Sequence, residues 1–166
     1  MRTIIVPTRT QNQHEKMPRK SFTSAHAAKE PWLPMLRELV RTYQAFAICS
    51  GRHVGSLGLT PAQFDTVSTL GNTPGMTFKA LGERTLITKG ALTGVVDRLE
   101  EKGWVRRVPL QEDGRSILVQ LTSKGETLFE EVFPAHIHYM RDRFLHLTES
   151  ERKELARLLK KLRLAM

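Results

Sequence analysis

Apolar residues recur at helical spacing along much of the chain, and the first long stripe predicts an amphipathic helix from Pro34 to about Arg52. The sequence GRHVGSLG should break this helix because glycine disfavours helical backbone. Thr60 and Gln63 form a capping box, so a second helix should begin after Thr60 and end at Gly71. The sequence GNTPGM that follows is typical of a loop.

Two short helices with a tight connection should come next, the first capped by Thr77 and the second by Thr88. The second helix should end at Gly103. Its predicted buried face follows the i, i+3, i+4, i+7 pattern of Leu92, Val95, Val96 and Leu99. This layout is typical of a helix-turn-helix, whose second helix enters the major groove of DNA.

The segment from Trp104 to Leu121 predicts a β-hairpin directly after this helix pair. Its two β-branched, apolar-rich runs flank a polar tip that contains Asp113 and Gly114, a dipeptide that favours tight hairpin turns. A helix-turn-helix followed by a hairpin is a winged helix.

Two further helices should follow the hairpin. Ser123 and Glu126 form a capping box that opens a long helix, which Pro134 should bend or interrupt. The predicted buried stripe of this helix comprises Leu128, Val132, Ile137, Met140 and Phe144. Thr148 and Glu151 form another capping box before a last helix. That last helix carries one apolar face, formed by Leu155, Leu158, Leu159 and Leu162.

The chain should therefore be mainly α with a small β-hairpin, a winged helix-turn-helix with additional N- and C-terminal helices. Residues 1–30 form a basic N-terminal arm without lasting periodicity, with six basic and two acidic residues. Residues 31–58 form the N-terminal helix and its loop, residues 59–122 the DNA-binding domain, and residues 123–166 the C-terminal helices.

The formal net charge of +9 over 166 residues favours binding to polyanions such as nucleic acid. A single cysteine excludes a disulfide framework and a multi-cysteine zinc site within the chain. Apolar runs are too short for a membrane span or a signal peptide, so we expect a cytoplasmic protein without a membrane partner.

Candidate DNA-binding residues lie on the second helix of the pair and on the hairpin. On the helix they are Thr88, Lys89, Gly90, Thr93, Gly94 and Arg98, and on the hairpin Arg106, Arg107, Asp113 and Arg115. Gly90 and Gly94 should destabilise the helix relative to alanine, so their presence requires an explanation. They either allow close approach of the backbone to DNA, or reflect a tolerant surface or packing against another helix.

Arg115 directly follows the predicted turn, and arginine is the preferred side chain for a narrow minor groove. Asp113 lies two residues earlier and could hold the Arg115 guanidinium in an extended pose. The alternative is a surface ion pair of little energetic value.

At this point the sequence resembles a known family. The segments LTPAQF, ITKGALTGVVDRLEEKGWVRR, EDGRSILVQLTSKG and LTESERKELARLLKKL are similar in order and content to the MarR family of bacterial and archaeal transcriptional regulators, over about residues 34–164. Gly114 replaces the first of the two arginines that usually follow the wing aspartate, and Arg115 keeps the second. Gly82 stands where the family often has alanine.

The resemblance implies a homodimer that reads a pseudo-palindromic operator on double-stranded DNA and is expected to act as a repressor. The terminal helices would interlock through Leu36, Leu39, Tyr43, Leu155, Leu158, Leu159 and Leu162. It also implies release by a small aromatic or acidic effector bound between the dimerisation helices and the DNA-binding domain. The effector pocket would be lined by Tyr43, Phe46, Cys49, His53 and Phe64.

Other functions remain as alternatives. We find no nucleophile motif, phosphate-binding glycine loop or paired carboxylates, so we expect neither an enzyme nor a cofactor. A metal-sensing regulator would use His136, His138 or His146, although the first two point to different sides of a helix. Cys49 would serve a redox sensor, or it is a small buried apolar residue. A low-specificity protein that coats DNA is the remaining rival.

Overall fold

The computed structural model describes residues 23–85, 87–110 and 113–166, and the side chains of residues 89, 110 and 113–115 lie outside that description. Seven helices and three strands are present within these ranges, in the order α1 (Ser24–Ala27), α2 (Leu33–Ser56), α3 (Pro61–Leu70), β1 (Met76–Thr77), α4 (Phe78–Arg84), α5 (Lys89–Glu101), β2 (Val105–Leu110), β3 (Asp113–Leu121), α6 (Ser123–Phe144) and α7 (Glu149–Arg163). The predicted class, a mainly helical winged helix-turn-helix, is confirmed. None of the helices in these ranges is long and apolar enough to cross a membrane.

The chain divides into two units, with the boundary between Gln44 and Ala45 inside α2. The first unit contains α1 and the N-terminal half of α2 among its described residues. The short helix α1 lies within the segment that we predicted to be an arm without regular structure. The second unit contains the C-terminal half of α2 and all later elements.

A three-stranded antiparallel sheet in the order β1-β3-β2 stands beside the helix pair of the second unit. β2 and β3 form the predicted hairpin, with Val105 opposite Leu121. The sequence GNTPGM was predicted to be a loop throughout, but Met76 pairs with Val119 as the start of β1. Met76 is buried, so the short strand closes the sheet over the apolar core.

The core of the winged helix is formed by α3, α4, α5 and the sheet. The predicted buried face of α5 is confirmed, since its four apolar residues are at most 3% exposed. They pack with residues of the neighbouring elements, including Val67, Leu70, Leu81, Val105 and Val119. This packing fixes which face of α5 remains available to the solvent.

Side-chain caps set the helix starts that the sequence predicted, with one shift. Thr60 with Gln63, and Thr148 with Glu151, form complete capping boxes. Thr77 caps α4 by accepting a hydrogen bond from the amide of Ala80. The capping box of Ser123 and Glu126 is wrong, because Thr122 occupies the N-cap of α6 and accepts from the amide of Gly125.

The predicted end of α2 comes later than expected, and the predicted interruption of α6 does not occur. α2 continues past Arg52 and ends at Ser56, within GRHVGSLG, before Gly58 with its positive φ of 76°; buried Val54 packs in a small core with Leu59 and Val132. The burial of Val54 opposes the cost of the glycines, which is about 1 kcal/mol each. α6 also runs unbroken through Pro134, which is exposed, as is Glu130 one turn before it. Solvent can therefore satisfy the carbonyl that the proline leaves without a helical partner.

The buried stripe of α6 differs from the prediction. Its buried residues are Gly125, Phe129, Val132, His136 and Met140. Ile137 and Phe144 are each 52% exposed, because at about 100° per residue they lie about 80–100° from His136, whereas the other buried residues lie within about 40° of it. The helix carries more apolar residues than one face can bury within this chain.

Candidate nucleic-acid interface

The first turns of α5 present an open surface opposite its buried face. Thr88 occupies the N-cap with extended backbone, but its side chain makes no capping hydrogen bond and remains exposed. Thr93 is exposed one turn later, and the first turn carries no acidic residue. The free amides and the positive end of the helix dipole therefore favour an anion here. Lys89 is the first residue of α5, and its side chain lies outside the described residues.

The two glycines of α5 have no packing role within the described residues. A Cβ atom built at Gly90 would meet no other atom within 4 Å. A Cβ atom at Gly94 would meet only Nη1 of Arg98, at the ordinary contact distance of 3.6 Å. Packing against another helix of this chain therefore does not explain them, which leaves a tolerant surface or close approach to a partner. Arg98 itself is exposed beside this surface.

The two neighbouring arginines of β2, Arg106 and Arg107, have different partners. Arg106 is exposed and its Nε donates a hydrogen bond to Oε1 of Gln120, at 3.3 Å. Gln120 in turn donates to the carbonyl of Pro74, at 2.8 Å. Arg107 forms ion pairs with Asp97 and Glu100 of α5. Arg106 thus faces solvent beside the sheet, whereas Arg107 faces the helix pair and is paired with two carboxylates.

The charged neighbours of Arg107 also act on its ionisation. Burial lowers the pKa of this guanidinium, but the hydrogen bond with Asp97 and the charge of Glu100 outweigh burial and raise the pKa above its usual value.

The tip of the wing holds the two remaining predicted residues, Asp113 and Arg115. Their backbone belongs to β3, and their side chains lie outside the described residues, as does the contact predicted between them.

The predicted dimerisation residues leave apolar surface exposed within each unit. In the first unit, Leu36 is 37% and Tyr43 57% exposed, and Leu39 is half-buried. In the second unit, no residue of α7 is buried. Its apolar face includes Leu155, Leu158 and Leu159, which are 42–47% exposed, and half-buried Leu162.

A cluster of aromatic and polar side chains joins the C-terminal half of α2 to α3 and α6; we call it the histidine cluster. Its members are Cys49, Ser50, His53, Phe64, His136 and Tyr139. The Nδ1 atoms of His53 and His136 are 3.1 Å apart, and Ser50 Oγ lies 3.2 Å from His136 Nε2. The His53 ring stacks on Tyr139 with centroids 4.0 Å apart, and the edge of Phe64 meets His136.

Three predicted pocket residues, Cys49, His53 and Phe64, belong to the histidine cluster. Phe46 lies one turn earlier on α2 and is exposed, while Tyr43 belongs to the other unit. Burial, and then the charge of His53, lower the pKa of His136. Ser50, His136 and Tyr139 were not among the predicted pocket residues, although all three belong to the cluster. The i, i+4, i+8 spacing of Val132, His136 and Met140 is the signal that could have placed this histidine inside.

The metal-sensing and redox alternatives gain no support from the described part of the chain. No group of three or more histidine, cysteine or acidic side chains within it could hold a metal ion. His138 and His146 are exposed, and neither lies in the histidine cluster. Cys49 is half-buried, with Sγ 3.9 Å from the hydroxyl of Tyr139. The expected separation of His136 and His138 onto different sides of α6 is confirmed by their burial and exposure.

Comparisons with known proteins agree with this architecture. The profile of the MarR family matches residues 57–116, which span α3, the helix pair and most of the wing. The multiple antibiotic resistance protein MarR of Escherichia coli is 34% identical over 115 residues, covering 66% of this chain and 76% of that protein.

Solved structures show the same likeness. A mutant MarR from Escherichia coli complexed with operator DNA superimposes with a TM-score of 0.68 at 30% identity, covering 78% of this chain and 93% of that chain. The Bordetella bronchiseptica protein BpsR, described by the regulation of its DNA binding by 6-hydroxynicotinic acid, gives a TM-score of 0.68 at 26% identity. That comparison covers 78% of this chain and 98% of BpsR.

Proposed function

Because this chain belongs to the MarR family and is a DNA-binding transcriptional regulator, we propose that it acts as a homodimeric, effector-responsive repressor. Two copies of α5 enter successive major grooves of a pseudo-palindromic operator, and the two wings reach the adjacent minor grooves. A small aromatic or acidic molecule releases the DNA by favouring a different spacing of the two α5 helices.

The observation that carries this proposal is the uncovered N-terminal surface of α5. Its opposite face is fixed in the core, and both Gly90 and Gly94 are free of packing constraints in the described structure. A helix without side chains at these positions can approach the floor and walls of a major groove closely. Thr88, Thr93 and Arg98 then reach phosphates and base edges, together with Lys89.

The wing supplies a second contact in this proposal. Arg106 on β2 is exposed and meets backbone phosphates, while Arg115 enters the minor groove beside the half-site. Asp113 holds the Arg115 guanidinium extended before binding, which reduces the entropy lost on the DNA. The net charge of +9 adds a salt-dependent, sequence-independent contribution to affinity.

A second copy of the chain covers the exposed apolar faces of the terminal helices. The leucines of α7 repeat on one face, and no residue of this helix is buried in a single chain. A patch of this kind on an isolated monomer would invite aggregation, whereas an isologous dimer buries it twice. The mutant MarR that is complexed with operator DNA supports DNA as the ligand of this dimer.

The histidine cluster is the proposed effector site. His53, Ser50 and the hydroxyl of Tyr139 offer hydrogen bonds beside the aromatic rings, a combination suited to a small aromatic acid. The cluster joins the C-terminal half of α2 to α6. The effector named for BpsR supports this chemical class.

Substitution at Gly94 tests the proposal. Gly94→Leu should abolish specific binding in an operator titration while the protein keeps its thermal transition, because a branched side chain holds α5 away from the groove. Gly94→Ala is the matched control: its Cβ makes only an ordinary contact with Arg98, so it should fold at least as well and bind more tightly than Gly94→Leu. Parent-like binding by Gly94→Leu would show that the glycine is only tolerated and would contradict groove entry by α5.

A further inference from the structure

Arg107 links three elements of the winged helix. Its guanidinium donates to Glu100 and to Asp97, and its backbone amide donates to Oε1 of Glu100 at 3.1 Å. The same guanidinium lies over the ring of Phe78, 5.5 Å from the ring centroid. One residue of β2 is therefore tied to two residues of α5 and to the first residue of α4.

Strand order explains why this link forms. β2 is an edge strand of the sheet, so the amide of Arg107 that does not face β3 needs a partner outside the sheet. Glu100 provides it and, with Asp97 three residues earlier, places two carboxylates on neighbouring positions of α5. An arginine fork can bridge both carboxylates, whereas a lysine ammonium is a single compact charge.

The base of the wing is held by apolar packing, whereas described residues farther out are more exposed. Val105 and Val119 are at most 2% exposed, whereas Pro109 is exposed and Ile117 is 43% exposed. Arg107 stands between these two parts. From Arg107 to the end of β2 the strand spans about 10 Å, so a tilt of about 10° would move the end by about 2 Å.

We propose that Arg107 is a positioning residue that sets the angle between the wing and α5, rather than a residue that contacts DNA. The inference rests on the proposed reading of adjacent major and minor grooves. Only a fixed angle lets α5 and the tip of the wing enter both grooves at once. Pairing with Arg107 also neutralises Asp97 and Glu100, two carboxylates on the DNA-reading helix that would otherwise repel phosphates.

The test compares protection of the two grooves on one operator fragment. Hydroxyl-radical footprinting reports the minor groove beneath the wings, and methylation protection reports guanine N7 in the major groove beneath α5. We expect Arg107→Gln to lose protection at the flanking minor grooves while it keeps the major-groove protection, with an overall affinity loss of about 2- to 30-fold. Arg107→Lys should restore part of the minor-groove protection because it keeps one ion pair.

Arg106→Gln is the matched control, since it makes the same change at the neighbouring arginine, which contacts Gln120 and not α5. It should weaken binding through the lost phosphate contact, but it should lose less minor-groove protection than Arg107→Gln, because the link between β2 and α5 stays intact. If Arg107 had a merely structural role, its substitution would reduce protection of both grooves alike. Equal losses of protection in Arg107→Gln would therefore overturn the inference.

A double variant covers the case in which Arg107→Gln does not fold. Asp97→Asn with Glu100→Gln leaves Arg107 in place and removes its partners, so it should lose minor-groove protection in the same way. Affinity alone does not decide here, because the double variant removes two negative charges; protection of both grooves as in the parent would overturn the inference. A parent protein that protects only one groove would overturn both the inference and the proposed function. If the parent protects both grooves and Arg107→Gln protects them equally well, the inference alone is overturned and the proposed function stands.

Discussion

The apolar face of α7 should hold two chains together, and Leu158→Lys tests this. Leu158 lies within that face and is 47% exposed in the single chain. Its substitution therefore disturbs little of the fold of the protomer. In the proposed dimer, the same change places an ammonium group in an apolar interface, twice because the interface is symmetric.

The exposed fraction of Leu158 sets how much free energy this residue contributes to the dimer. Complete burial of a leucine side chain contributes about 1.5–3 kcal/mol, so covering the exposed half contributes about 1.5–3 kcal/mol for the two copies together. Loss of this contribution alone raises the dimer dissociation constant by about 10- to 150-fold. Desolvation of two lysine side chains adds to the loss, so tenfold is a lower bound.

Sedimentation equilibrium over a range of protein concentrations measures the dissociation constant directly. Leu164→Lys is the matched control: it makes the same change at a residue that is 70% exposed, on the opposite side of α7 from Leu155 at about 100° per residue. It should keep the dissociation constant of the parent. A folded Leu158→Lys variant with the dissociation constant of the parent would refute the assignment of this face to the dimer.

Three further outcomes follow from particular residues. Arg115→Ala should cost about 1–3 kcal/mol of operator affinity per site and Arg115→Lys should recover part of it, measured by titration at fixed salt; parent-like binding of the alanine variant would make Arg115 a plain surface charge. The lowered pKa of His136 means that the unfolded chain binds more protons in mild acid, so the free energy of unfolding should decrease as the pH falls below about 6.5. Denaturant titrations at several pH values should show this decrease in the parent and a smaller one in His136→Gln; an equal decrease in both would contradict the assignment. Gly125→Ala should destabilise the fold by about 1–3 kcal/mol or more, because its Cβ would lie 1.9 Å from the carbonyl oxygen of Trp104; an unchanged melting temperature would contradict this close approach.

Capping residues and apolar spacing predicted the helix starts and the buried face of α5, because short-range interactions along the chain determine both. Capping residues such as Thr60 and Thr148 placed helix starts, and the stripe of Leu92, Val95, Val96 and Leu99 identified the buried face of α5. The winged helix followed from these elements in order. The strand at Met76 could not be predicted in this way, because two residues carry no periodicity and their pairing with Val119 and Leu118 is a tertiary contact.

The later end of α2 and the unbroken course of α6 through Pro134 have a related reason. Glycine and proline carry local costs, and those costs are offset by contacts that sequence spacing does not reveal, such as the burial of Val54 against Val132. Similarly, the sequence assigned Arg106 and Arg107 alike to DNA. Neighbouring residues of a strand face opposite sides, and only the position of α5 decides which of the two arginines is taken by Asp97 and Glu100.

The histidine cluster was likewise predictable only in part. Cys49, His53 and Phe64 were predicted to line a pocket, but their principal partners, His136 and Tyr139, lie more than seventy positions later in the chain. The stripe predicted for α6 ran through Ile137 and Phe144 and did not include His136, which the structure buries. Only the packing of α6 against α2 brings its ring to His53.

Selection of bound sites from a random double-stranded DNA library, followed by footprinting of the enriched sequence, tests the central claim most directly. We predict enrichment of a pseudo-palindrome whose two half-sites lie about 34–36 Å apart, with major-groove protection at each half-site and minor-groove protection beside it. Binding that enriches no sequence, or enriches a single half-site without symmetry, would contradict a dimer that reads an operator with two winged helices.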